Sequence, residues 1–122
     1  MKPTVTNHDL PLRAADFASL SEALDYAAKG RTGMNFFTGR GELGYSLSYS
    51  SLRDQALVLA RRLHGLELPK GSRVALIAET NVDFVRFFFA CQYAGLVPVP
   101  LPISMNLGSH RAYVDHLSLI HI

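Results

Sequence analysis

From Phe17 onward the apolar positions Phe17, Leu20, Ala23, Leu24 and Ala27 recur at helical spacing, and Gly30 stands where such a helix would end. This predicts a first helix of about three turns. Residues 34–37 and 43–49 then alternate apolar and polar on either side of Gly39-Arg40-Gly41-Glu42, the pattern of a β-hairpin. A second helix is drawn by Leu52, Ala56, Leu59 and Leu63 on one face, with Arg53, Gln55 and Arg62 elsewhere; Ser50 is its expected N-cap and Gly65 its end. After Pro69-Lys70-Gly71, the uninterrupted apolar run at 74–78 predicts a strand buried on both faces. Asn81 can cap a third helix over residues 82–94, which Gly95 ends before a strand at 96–99. Strand, helix and strand in that order predict a parallel crossover of right-handed sense. The fold class is therefore α/β, a β-hairpin and helices joined to a parallel βαβ unit whose sheet is incomplete. Ligands of open α/β sheets collect beyond the carboxyl ends of the strands, here near 78–80 and 98–101.

Composition narrows the function classes more than it selects one. Apolar residues make up 48% of the 122 residues and charged residues 18%, which is a core-forming and not a disordered composition. A chain of this size can bury about two-thirds of its unfolded surface. The net charge of +2 is spread along the chain, and the adjacent Arg61 and Arg62 lie beside apolar Leu63, so no nucleic-acid surface is indicated. The N-terminal residues lack the apolar run of a signal peptide, and the expected compartment is the cytosol. Residues 82–103, the most apolar stretch, contain Asp83, Arg86, Gln92 and prolines that a membrane-spanning helix tolerates poorly. The single cysteine, Cys91, sits among phenylalanines and reads as a small buried hydrophobe.

Few residues offer chemistry. Gly39-Arg40-Gly41-Glu42-Leu43-Gly44 satisfies G-x-G-x-x-G, the dinucleotide fingerprint. That motif works only where the glycines turn from a buried strand into a helix N-terminus facing the pyrophosphate. Here Tyr45-Ser46-Leu47-Ser48-Tyr49 follows and alternates like a strand, so a hairpin turn explains the glycines. His8, His64, His110, His116 and His121 share no metal-like spacing. Asp83 fits the first turn of the third helix, where negative charge favours the helix dipole, and Glu79 fits a solvated loop at the strand end. No G-x-S-x-G nucleophile elbow is present. Phe84, Phe87, Phe88 and Phe89 read first as ordinary helix-to-sheet packing. No residue is assigned a catalytic, cofactor-binding or metal-ligating role, and the substrate contacts stay unknown.

Three segments in order carry a resemblance: LSYSSL at Leu47 to Leu52, KGSRVALIAE at Lys70 to Glu79, and YAGLVPVPLP at Tyr93 to Pro102. Together they resemble the opening of adenylate-forming enzymes, whose corresponding segments read L-[ST]-Y-x-E-L, K-G-D-R-V and A-G-x-x-x-V-P. The doubled proline of Val97-Pro98-Val99-Pro100-Leu101-Pro102 and the run Phe87-Phe88-Phe89 are most similar to the fatty-acyl-AMP ligases. The resemblance implies a parent enzyme that uses ATP and Mg²⁺ to convert a fatty acid to acyl-AMP and passes the acyl group to an acyl carrier protein thiol. An acyl-CoA synthetase and the adenylation domain of a peptide synthetase are the alternatives within the family. The family's phosphate-cradling loop, its adenine and ribose contacts and its mobile-domain lysine are all expected downstream of this chain, which is therefore expected to be inactive alone. Ser51 stands where the family usually carries Glu and Ser72 where it carries Asp; both read as cap or turn positions with little effect on function.

The chain divides into an expected loose leader at 1–15, a partial adenylating domain at 16–116, and a tail at 117–122. The tail, Leu-Ser-Leu-Ile-His-Ile, is what CTG TCT CTT ATA CAC ATC encodes, the transposon-end adapter of sequencing libraries, so read-through from a truncated gene is expected there. Val114, Leu117 and Ile120 also fit one helix face, which keeps a biological ending open. In that case the chain would be a genuine short protein binding a partner through an exposed sheet edge.

Overall fold

The computed structural model describes residues 10–102, and its elements follow the order helix, hairpin, helix, strand, helix, strand. Helix α1 runs Leu20–Ala27. It is shorter than the apolar spacing predicted, because Ser19 takes the cap position and accepts the Glu22 amide, while Ala28 closes the other end before Gly30. Glu22 completes the start by accepting the amide of Ala18 at 2.8 Å. Phe17, left outside the helix, stacks with Tyr26 at 5.5 Å between ring centroids and carries the Arg13 guanidinium 4.0 Å above its ring. Arg13 also pairs with Asp16, and the Tyr26 hydroxyl donates to the Pro11 carbonyl, so the described part of the expected leader is held against α1. The rest of that leader and the 117–122 tail lie outside the described residues.

Strands β1 (Gly33–Phe37) and β2 (Leu43–Ser48) form the expected antiparallel hairpin, with an irregularity of register between Phe36 and Phe37. Tyr49, expected to end the second strand, instead opens helix α2 (Tyr49–His64). Its N-cap is Ser48 and not Ser50, since the Ser48 hydroxyl accepts the Ser51 amide at 3.0 Å while Ser50 already lies inside the first turn. Gly65 closes α2 as expected. Strand β3 (Arg73–Ile77), helix α3 (Val82–Ala94) and strand β4 (Val97–Leu101) make the parallel unit, with Arg73 opposite Val97 and Ile77 opposite Leu101. Both strands lie within one or two residues of their predicted positions. Asn81 caps α3 by accepting the Phe84 amide at 2.9 Å, and Gly95 ends it in the left-handed region at φ 74°, which a side chain would resist.

One expectation fails in a telling way. β3 is not buried on both faces: Val74 and Leu76 are half-buried, whereas Arg73, Ala75 and Ile77 are exposed, Ile77 by 49%. Among the described residues, α3 packs on one face of the β3–β4 sheet; on the other, Ile77 and Val97 are about half exposed, while Leu101 at the strand end is buried. The apolar run is suited to two covering layers, and one is present.

The core has two parts. Leu24, Leu47 and Leu52 form a buried cluster joined by Met34, Phe36, Tyr49, Val82, Val85, Phe89 and Tyr93, so all three helices and the hairpin meet there. Beside it, the buried small residues Ala56 and Ala60 of α2 and Ala90 and Cys91 of α3 belong to two helices that pack extensively on each other.

Candidate functional site

The carboxyl ends of β3 and β4 come together as the sequence predicted. Ile77 lies opposite Leu101, and the Ala78 amide donates to the Leu101 carbonyl at 2.6 Å, drawing 78–80 and 98–101 to one end of the sheet. Within that end, Glu79 is exposed and its carboxylate accepts the Asn81 side-chain amide at 3.2 Å. Asn81 is in turn occupied with its cap. The acid thus braces the entry to α3. Thr80 is exposed as well, and Leu101 is buried.

The prolines of β4 have a positional meaning in this arrangement. Val97 donates to the Ser72 carbonyl at 2.9 Å and Leu101 accepts from Ala78, so residues 97, 99 and 101 address β3. Pro98 and Pro100 fall at the alternate positions and lack amide hydrogens, so the far edge of β4 has no backbone donor at either residue.

The glycine motif is a hairpin turn, as the strand-like sequence after it indicated. Thr38 donates to the Glu42 carbonyl at 2.8 Å, its hydroxyl accepts the amides of Arg40 and Glu42, and Gly41 adopts φ 80°. Strand β2 follows it, so no helix N-terminus faces a phosphate.

Other candidates sort in the same manner. Asp83 sits in the first turn of α3 and bonds Arg86 at 3.0 Å, an arrangement of capping and surface pairing. His64 is exposed in the last turn of α2; the other histidines lie outside the described residues. Among the described residues no group of three or more His, Cys, Asp or Glu could hold a metal, and no helix is long and apolar enough to cross a membrane. Cys91 is buried, and desolvation pushes its thiol above the ordinary range, away from reactivity. Phe89 packs on the core cluster and meets Phe88 edge-on at 5.7 Å; Phe88 also meets Phe84 at 6.0 Å, and Phe87 is 37% exposed.

A polar junction that the sequence did not disclose ties the three helices together. Asp25 of α1 accepts the Arg53 Nε of α2 at 2.6 Å and the Tyr93 hydroxyl of α3 at 2.5 Å, and that hydroxyl lies 3.2 Å from the Ser21 carbonyl. Burial opposes the charge on Asp25, but the bonds from Tyr93 and Arg53 outweigh it and hold the carboxyl below its usual value. The bond to Asp25 raises Arg53, while burial and then the Asp25 carboxylate push the Tyr93 phenol well above its ordinary value. The junction joins residues 28 and 68 positions apart, which is why no local pattern announces it. Its groups stabilise one another.

The model of the AMP-binding enzyme family matches residues 24–117, which include nearly every element described above. The chain belongs to that family. Among curated relatives, the "Putative acyl-CoA synthetase" of Caulobacter vibrioides (strain NA1000 / CB15N) is 52% identical over 115 residues, covering 94% of this chain and 20% of the relative. The medium-chain-fatty-acid–[acyl-carrier-protein] ligase JamA of Moorena producens (strain JHB) is 28% identical over 90 residues, 71% of this chain and 15% of its own. A solved structure from work on fatty acyl-adenylate ligases of E. coli and L. pneumophila superposes with a TM-score of 0.82 at 51% identity, over 90% of this chain and 20% of that one. The architecture is thus that of the N-terminal part of adenylate-forming enzymes, as the LSYSSL, KGSRV and YAGLVPVP segments implied. Members of the AMP-binding family use ATP and Mg²⁺. This chain spans about a fifth of the length of the Caulobacter vibrioides protein and of that solved structure.

Proposed function

We propose that this chain is the opening part of a fatty-acyl-AMP ligase, whose full product activates a fatty acid with ATP and Mg²⁺ and hands the acyl group to an acyl carrier protein. The observation that carries the reading is the 51% identity and TM-score of 0.82 to a fatty acyl-adenylate ligase structure. The likeness to a carrier-protein ligase agrees with it. On this reading residues 1–122 supply scaffold: the exposed loop at Glu79 and Thr80 and the strand end at Leu101 border the site, and the charge-stabilising groups that acyl-adenylate formation needs come from the remaining sequence. Transfer to coenzyme A is the second reading, favoured by the 52% identity to the Caulobacter vibrioides protein.

Reading the genomic locus across the codons for Tyr113 to Ile122 is the first step. A frame that departs from LSLIHI and continues into a Ser/Thr/Gly-rich loop with a lysine is expected; a stop directly after Ile122 would overturn the proposal in favour of a short binding protein. The full product is then assayed for fatty-acid-dependent exchange of pyrophosphate into ATP, with coenzyme A and a carrier protein offered in turn as acceptors. Carrier-protein acylation without acyl-CoA formation is the expected result. The 122-residue chain alone is expected to show no exchange, and turnover above background would refute its role as scaffold.

A further inference from the structure

The outward stripe of α2 is complementary to itself. Asp54, Val58 and Arg62 stand at i, i+4 and i+8 of the helix, share one face, and are all exposed, Val58 by 48%. With Leu59 and the half-exposed Phe87 of α3 they line a hollow of about 460 Å³ between the two helices. The nearby Arg86 is already engaged by Asp83 and Gln55. Asp54 and Arg62 make no ion pair among the described residues, and eight residues of helix put their backbones about 12 Å apart, too far to satisfy each other.

We propose that this stripe docks a second copy of the same chain, α2 against α2, antiparallel about a two-fold axis passing at Val58. Under that symmetry residue 58+n meets residue 58−n of the other copy, so each Asp54 faces the other copy's Arg62 and the ion pair is made twice. Val58 meets its own equivalent on the axis, with Phe87 flanking it. An isologous interface requires a surface that complements itself under a two-fold rotation. An apolar centre placed midway between an acid and a base that make no ion pair among the described residues satisfies that requirement, whereas like charges at the two ends would repel. The patch rests on one helix and one flanking ring per copy, so the association is reversible and weakens with salt.

The test is sedimentation velocity of the intact product of the gene across rising concentration at low salt, where concentration-dependent dimerisation is expected. Asp54→Arg and Arg62→Asp should each weaken self-association at least tenfold. Mixed together, the two variants should associate with each other at wild-type strength, because the introduced arginine then faces the introduced aspartate while native Arg62 faces native Asp54. That rescue also shows both variants to be folded. Val58→Cys should oxidise to a covalent dimer, as a residue on the axis meets itself, and buried Cys91 does not compete. A monomer at every concentration, single variants that associate like wild type, a mixture that fails to recover, or a Val58→Cys protein that gives no disulfide would each overturn the proposal.

Discussion

Ser48 shows how much one side chain arranges. It lies at the end of β2 opposite Gly33, caps α2, and is followed by Tyr49, whose amide donates to the Thr32 carbonyl. By the alternation of an antiparallel ladder, the Ser48 amide is then not used by β1. A glutamate at position 51 could reach it and complete a capping box, whereas Ser51 is too short. Ser51→Glu should therefore raise stability by about 0.5 kcal/mol, and Ser48→Ala should lower it by about 1 kcal/mol. Denaturant midpoints of the intact gene product would show both shifts. Tyr93→Phe tests the junction between the helices: losing the bond to Asp25 should cost about 1 kcal/mol at neutral pH. Because the folded state holds the Tyr93 phenol above its ordinary value, its contribution is complete below about pH 10 and lost as pH rises further. Asp25 is held low, so its contribution is present above about pH 4 and lost on acidification. The wild type's thermal advantage over Tyr93→Phe should accordingly narrow at both extremes; an advantage independent of pH would contradict the assignment.

At the scale of elements, legibility followed the distance over which each signal acts. Asn81 and Gly95 bracketed α3 correctly because a cap and a left-handed glycine act within one turn. The hairpin was legible for the same reason, its turn chemistry lying in the four residues from Gly39 to Glu42. Phe17 misled because apolar spacing does not distinguish a helical residue from one packed just ahead of the helix, and Ser19 decides that boundary. The sequence points to Ser50 as the cap because alternation makes Tyr49 look like strand, whereas Ser48 takes the position. Of a candidate site the sequence offers only a location, the ends of β3 and β4, which the structure brings together; the Asp25–Arg53–Tyr93 junction is invisible in it because its members come from three helices. Leu52 is where the elements depend on one another most, being fully buried between α1, the hairpin and α3. Leu52→Ala should cost about 3 kcal/mol, seen as early loss of hydrogen-exchange protection in both α1 and α3. Loss confined to α2 would mean that the cluster is less cooperative than its packing indicates.

For the molecule as a whole, the half-exposed Ile77 and Val97 on one face of the β3–β4 sheet are, among the described residues, an apolar liability. Residues 1–122 purified alone should bind ANS strongly and melt without a sharp transition, since apolar surface that wants a second layer is left in water. A monomer with a cooperative thermal transition would refute this. The two edges of the same sheet are unequal, however. Beyond β4, Pro98 and Pro100 offer no hydrogen to an incoming strand, while β3 keeps its amides. Any ladder that grew by adding strands to this sheet would find one end blocked, so two copies joined through β3 would present only proline edges and growth would stop. The β4 prolines thus act as chain terminators against fibre formation, and what precipitates from the isolated chain should be amorphous and blind to thioflavin T.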